Sequence, residues 1–272
     1  MSASSANPAA GAAREAQQSS AMQGLARGGY VASGVLHVLL GWLAVQLALG
    51  RTSSEADQSG AFRTLGRAPG GALLLWVVAV GFAALAVWQL VTAFVGERGR
   101  EHQAGLRIKS AAKSVLYGVL AGISVQYASG GGTSGGSAQK GLTAQVLSWP
   151  GGRWLVGLVG LVIVVAGVVH VVIGVRKRFL RDLTGVGGRA VGEAVERLGQ
   201  VGYVAKGIAL AVVGGLVIAA GATADPARAG GLDEALRTIR DQPFGPVLLF
   251  VVGIGIAAYG VYSFARARYV RL

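Results

Sequence analysis

Tyr30-Val31-Ala32-Ser33-Gly34-Val35 opens one long apolar run, and Tyr203-Val204-Ala205-Lys206-Gly207-Ile208 opens another. Between them Ala112-Lys113-Ser114-Val115 stands at the head of a third, without the tyrosine. Three starts of one pattern in one chain predict an internal repeat, and that reading precedes any fold assignment. It makes Ser33, Lys113 and Lys206 equivalent. Thirteen residues further on the copies carry Gln46, Gln126 and Ala219.

Each of these runs is followed by a second, introduced by a proline: Pro69-Gly70, Pro150-Gly151 and Pro243-Phe244-Gly245. About twenty residues beyond the prolines stand Gln89, His170 and Ser263. The runs at Tyr30–Leu49, Ala72–Val95, Ala111–Ser129, Trp154–Val175, Val204–Ala222 and Val247–Ala265 avoid Asp, Glu and Arg. Each is near the ~20 apolar residues that span a bilayer. The expected fold is an all-α integral membrane protein, with six transmembrane helices as three two-helix hairpins. An even number of spans per unit makes the repeats parallel, in a pseudo-threefold arrangement about an axis along the membrane normal. The expected organisation is a disordered tail at 1–23, repeats at 24–100 and 104–180, a linker at 181–196, and a third repeat at 197–272.

Composition agrees. The chain is 53% hydrophobic and 14% charged, against about 25% charged residues in soluble domains. Many of its 45 glycines lie inside the apolar runs, as in membrane helices. The absence of cysteine excludes disulfides, thiolate metal sites and cysteine nucleophiles. The first span is full length and contains Trp42, which reads as a retained helix and not a signal peptide.

The net charge of +13 sits in the loops beside the spans, which points to topology and anionic lipid headgroups and not to nucleic acid. Fifteen Lys and Arg lie on the side that holds both termini and eight on the other. The positive-inside rule then places both termini in the cytoplasm of a multi-pass protein of the bacterial cell membrane. On the outer side, Leu232, Ala235, Leu236 and Ile239 alternate with charges at helical spacing. They predict a short amphipathic helix at the interface or a packed connector. Leu65 and Val146 take the place of Ile239 in the other copies.

The runs Ala26-Arg27-Gly28-Gly29-Tyr30-Val31-Ala32-Ser33-Gly34 and Leu198-Gly199-Gln200-Val201-Gly202-Tyr203-Val204-Ala205-Lys206-Gly207 resemble the repeat start of a bacterial family called domain of unknown function 1206. The closing Ala258-Tyr259-Gly260-Val261-Tyr262 is similar to it too. The resemblance covers about residues 24–270 and implies a membrane protein, typically actinobacterial, with three tandem repeats. The middle copy departs most. The family implies no activity and no catalytic residues.

Ser114, Gly118 and Gly122 recur every four residues and match Gly207, Ala211 and Gly215. Such faces let helix backbones approach closely in lipid. Copy one has Gly34, Val38 and Trp42 there, so its first helix is expected to pack differently. Leucine at Gly122 or Gly215 is expected to destabilise the bundle more than leucine at Gly41. The polar residues of the spans, His37, Gln89, Lys113, Tyr117, His170, Lys206 and Ser263, map to one half of the bilayer. They read either as a polar vestibule on the pseudo-threefold axis or as interhelical hydrogen bonds with both lysines snorkelling to the headgroups.

Two histidines without nearby carboxylate or thiolate make a poor metal site, and no nucleophile, phosphate loop or dinucleotide fingerprint stands out. The glycine-rich stretch Gly130–Gly136 reads as a linker. The expected function is a non-enzymatic membrane scaffold, or a protein that binds lipid or a membrane-protein partner, without cofactor, metal or nucleic acid. The alternative is a small transporter or channel. A dry bundle core favours the first and a continuous wet path the second.

Overall fold

The computed structural model describes residues 20–51, 55–95, 103–132 and 134–270. Of the expected tail, residues 1–19 lie outside the described residues, and 20–23 begin the first helix. The spanning helices are α1 (Ser20–Ala48), α3 (Gly71–Val95), α4 (Gln103–Ala128), α6 (Gly152–Val175), α7 (Arg189–Thr223) and α9 (Gly245–Tyr269). All six are long and apolar enough to cross a membrane. Three short helices join the spans of each repeat: α2 (Gln58–Arg67), α5 (Gly135–Leu147) and α8 (Gly231–Arg240). They share one face, here the connector face. The start of α1 and the end of α9 share the other, the terminal face.

The turn into each second span repeats atom for atom. Gly70, Gly151 and Phe244 each adopt a left-handed conformation, with φ of +73°, +76° and +59°. The next residue, Gly71, Gly152 or Gly245, donates to the carbonyl three back, at 2.8, 2.9 and 2.7 Å. A Cβ on any of these glycines would strike a carbonyl at the end of the preceding helix. The proline ends that helix, and glycine lets the chain reverse where no side chain fits.

The six helices stand in the order α6, α7, α9, α1, α3, α4. The tightest pairs join the second span of one repeat to the first of the next: α3 with α4, α6 with α7, and α9 with α1. Small residues seven apart build two of the seams. A Cβ on Gly34 would lie 3.0 Å from the Gly260 carbonyl, and one on Gly41 2.6 Å from that of Gly253. Gly207 and Gly214 meet the Gly167 and Gly160 carbonyls in the same way, at 2.6 and 2.7 Å. In the third seam the Ser114 hydroxyl donates to the Ala86 carbonyl at 2.8 Å.

This corrects the four-residue face. Gly207 and Ser114 sit in their seams and Ala211 touches Gly167, but Gly118, Gly122 and Gly215 have nothing within 4 Å of an added Cβ. A seven-residue step suits the left-handed crossing of about +20°, whereas a four-residue step suits the right-handed one. The first helix is no exception either, because Gly34 and Gly41 form the same ladder.

Within repeats the helices meet less closely, and here the copies differ. In the first, Gly29 receives the Leu85 side chain and Gly81 faces Ala32 and the Gly28 carbonyl. In the third, Gly202 lies against the Tyr259 backbone, 2.6 Å from an added Cβ, and Gly255 against Ala205. The middle copy carries Lys109 and Val162 at these two places. A lysine and a valine cannot stand where backbones touch, and α4 and α6 scarcely meet. Among the described residues the result is a ring with one lateral opening. Leu36 and Ala209 are each 3% exposed, while their counterpart Leu116 is 55% exposed. Val162 and Val165 across the opening are exposed as well.

The connectors α2 and α8 are packed against the bundle and do not lie free at the interface. Phe62, Leu236 and Ala235 are buried. Asp57 caps α2 by accepting from the Gly60 amide at 3.0 Å and from the Ser59 hydroxyl at 2.5 Å. Burial holds its carboxyl above the usual range, against those two hydrogen bonds, while Glu55 and Asp233 push it further up. The Ala56 amide donates to Asp233 at 2.8 Å, and Lys140 pairs with Glu234 at 3.2 Å, which ties the three connectors together. The helix α5 buries no residue, consistent with its place beside the opening.

On the terminal face, the chain after α6 makes a 3-10 turn, Arg178–Asp182, and folds back beneath the bundle. Phe179 is fully buried there. The expected linker at 181–196 is therefore structured: Leu183 bridges to Val270, and residues from 189 onward belong to α7. With 35 residues, α7 is about 52 Å long at 1.5 Å per residue. It exceeds the ~30 Å hydrocarbon core, so its first turns extend beyond the membrane on this face.

Candidate functional site

The spanning stretches supply cations, phenols and imidazoles but no carboxylate. The helix order gathers many of these groups in the half of the bundle nearest the terminal face. On α1, His37 Nδ1 lies 2.7 Å from the Ser33 carbonyl one turn back. A carbonyl only accepts, so Nδ1 carries the proton and Nε2 presents its lone pair to the interior. Lys206 of α7 meets that lone pair, with Nζ 3.1 Å from Nε2. The ammonium also stands 4.3 Å from the centroid of the Tyr259 ring, a cation–π distance. His37 and Tyr259 are 4.7 Å apart, centroid to centroid.

Around this pair lies a box of aromatic rings. Phe179 stacks on Tyr203 at 5.2 Å and meets Tyr262 edge-on at 5.2 Å. Tyr203 meets Tyr259 edge-on at the same distance. Arg266 lies over the Tyr30 ring at 4.7 Å and pairs with Asp182 at 3.6 Å. Among the described residues the Tyr262 hydroxyl and Arg266 Nε are buried without a hydrogen-bond partner. Arg266 thus has a carboxylate beside it, while among the described residues Lys206 has an imidazole and a ring.

The other expected vestibule residues divide. On α6, His170 Nδ1 donates to the Ala166 carbonyl at 2.8 Å, repeating the His37 geometry. Its ring stacks on Tyr203 at 5.9 Å. Lys113 lies on α4, across the opening from α6. Tyr117 stacks on Phe82 at 6.1 Å. Gln89 and Ser263 are buried between helices, and the Ser263 hydroxyl donates to the carbonyl of Tyr259 one turn back, which takes it out of the interior. The structure brings His37, Lys206 and His170 to one cluster, with Tyr117 and Lys113 at its edge.

Sequence reasoning missed the aromatic box and Arg266. Tyr203, Tyr259 and Tyr262 had entered only as marks of the repeat, and Phe179 sits in a basic loop where an isolated ring carries no periodicity. The available signal was Tyr259 and Tyr262, spaced three apart on one helix face. Among the described residues no group of three His, Cys, Asp or Glu could hold a metal ion.

Comparison with known proteins gives three results. The family described as Domain of Unknown Function (DUF1206) matches three times, over residues 28–96, 108–177 and 201–270. The protein "Uncharacterized protein YxxB" of Bacillus subtilis (strain 168) is 32% identical over 245 residues, covering 89% of this chain and 88% of its own length. No solved structure matches.

Proposed function

The chain belongs to the family Domain of Unknown Function (DUF1206), and from that premise we propose that it is a non-enzymatic membrane protein that holds a lipid between α4 and α6. The observation that carries this reading is the lateral opening. Two hairpins of the ring are shut by glycines and the third is propped open by Lys109 and Val162. The opening faces the bilayer with apolar walls, Leu116 on one side and Val162 and Val165 on the other. At the terminal-face end it leads to a polar cluster, which is the layout an amphiphile needs: an apolar slot with a polar end. The packed connectors favour binding over transport, because Phe62 and Leu236 fill the bundle at the connector face.

The Lys and Arg asymmetry supports a cytoplasmic terminal face, and with it a lipid of the inner leaflet. Lipid extraction tests the reading. The chain has no cysteine, so a pair introduced at Leu116 and Val165 can be bridged by a bismaleimide. Protein purified unbridged should retain lipid in a fixed ratio, and protein bridged after delipidation should take none back. Equal lipid uptake by both forms overturns the proposal, and so does cross-linking between chains at these sites, which would make the occupant a second copy.

A further inference from the structure

We infer that the inner end of the α4–α6 opening is a headgroup site for an anionic lipid, formed by Lys206, His170 and Lys109. The inference rests on the lateral opening proposed above and adds the chemistry of its occupant. Its first ground is an imbalance of charge. Lys206 reaches Nζ to the His37 lone pair and the Tyr259 ring, neither of which carries a negative charge. Among the described residues no carboxylate forms an ion pair with Lys206 or Lys109. None of the six spanning stretches contains Asp or Glu. A cation in low dielectric calls for an anion, and this chain has none to offer there.

The second ground is placement. Lys109 occupies the position of Gly29 and Gly202, the residues that touch the second span in the other repeats. It therefore stands at the opening, on the side where α6 would have packed. One substitution both keeps the hairpin apart and brings a positive charge to its mouth. His170 lies on the other wall, its ring stacked at 5.9 Å on Tyr203, which stands three residues before Lys206 on α7. Its Nδ1 is committed to the Ala166 carbonyl, and among the described residues Nε2 has no hydrogen-bond partner. That nitrogen accepts from a lipid hydroxyl when neutral and donates to a phosphate oxygen when protonated.

The third ground separates a lipid from a free anion. From the aqueous side, Phe179 and the Tyr203, Tyr259 and Tyr262 rings stand between the terminal face and Lys206. Among the described residues the approach left open is lateral, through a slot walled by Leu116, Val162 and Val165, which suits acyl chains and not a hydrated ion.

Native mass spectrometry of the delipidated full chain, titrated with phosphatidylglycerol or with phosphatidylcholine of the same acyl chains, tests the assignment. Phosphatidylglycerol should bind about tenfold more tightly, the order expected for one or two lysines beside an anionic headgroup. Lys206→Gln and Lys109→Gln should each reduce the preference, and the double variant should abolish it. Arg67→Gln, on the connector face, should leave it unchanged. Lys109 is exposed, so its variant decides the question if Lys206→Gln fails to fold. Equal binding of both lipids would overturn the headgroup site and leave the lateral opening standing. Binding of neither would overturn both. Displacement of phosphatidylglycerol by millimolar inorganic phosphate would make the site one for a free anion and refute the inference.

Discussion

At the scale of single residues, the glycines divide into those that carry a helix seam and those that face open space, and sequence spacing alone assigned some of them wrongly. Gly41 and Gly214 sit where an added Cβ would lie 2.5 Å from the Ala257 amide nitrogen and 2.7 Å from the Gly160 carbonyl. Gly122 and Gly215 meet nothing. Gly41→Leu and Gly214→Leu should therefore each cost about 1–3 kcal/mol or more, since the neighbouring backbone cannot retreat. Gly122→Leu and Gly215→Leu should stay within about 0.5 kcal/mol. Thermal unfolding in detergent ranks all four; a larger loss at Gly122 or Gly215 than at Gly41 would refute the seven-residue seam. Both periodicities are written in the sequence: Gly207, Ala211 and Gly215 give one, Gly207, Gly214 and Gly221 the other. Choosing between them needs the crossing angle, which belongs to a pair of helices and to neither alone.

At the scale of elements, what was legible was whatever repeats. The six spans, the proline turns and the three connectors recur, and each recurrence supports the others. The Phe179 turn does not recur among the described residues. Its hold on the structure is apolar. Phe179 fills the space that Gly199 leaves open and touches Tyr203 and Tyr262. The nearby Lys177–Glu196 pair, at 2.5 Å, has side chains 45% and 34% exposed. Phe179→Ala should cost about 3–5 kcal/mol, the range for a buried phenylalanine. Lys177→Ala should cost less than about 1 kcal/mol, as for solvent-screened ion pairs. If unfolding shows the reverse order, the turn is held by charge and the aromatic box is incidental to it. The polar cluster was half visible for a related reason. Charge at depth in an apolar run marks His37, Lys206 and His170, whereas tyrosines blend into a hydrophobic helix until its neighbours are known.

At the scale of the whole molecule, near-symmetry makes one place exceptional. Three copies of a hairpin can close a ring in which every helix has two neighbours, and two of the copies are built for it. In the first, a Cβ on Gly81 lies 3.0 Å from that of Ala32; in the third, Gly255 sits directly against Ala205. The matching pair in the second is Ala112 and Val162. A disulfide requires Cβ atoms about 3.5–4.5 Å apart; the 3.0 Å between Ala32 and Gly81 needs a slight parting of the helices, and the closer approach between Ala205 and Gly255 a larger one, of about 1 Å. Cysteine pairs at 32/81 and 205/255 should therefore oxidise in the membrane, while the pair at 112/162 should stay reduced. Cysteine replaces Val162 in that last variant and removes its bulk, so Lys109 alone must then hold the helices apart. Adding Lys109→Gly should let the 112/162 pair form as well. That outcome would show the opening to be set by two side chains and not by the loop lengths of the middle repeat. Disulfide formation at 112/162 with Lys109 in place would mean that α4 and α6 close spontaneously, and the ring would then be a gate that breathes instead of a fixed slot.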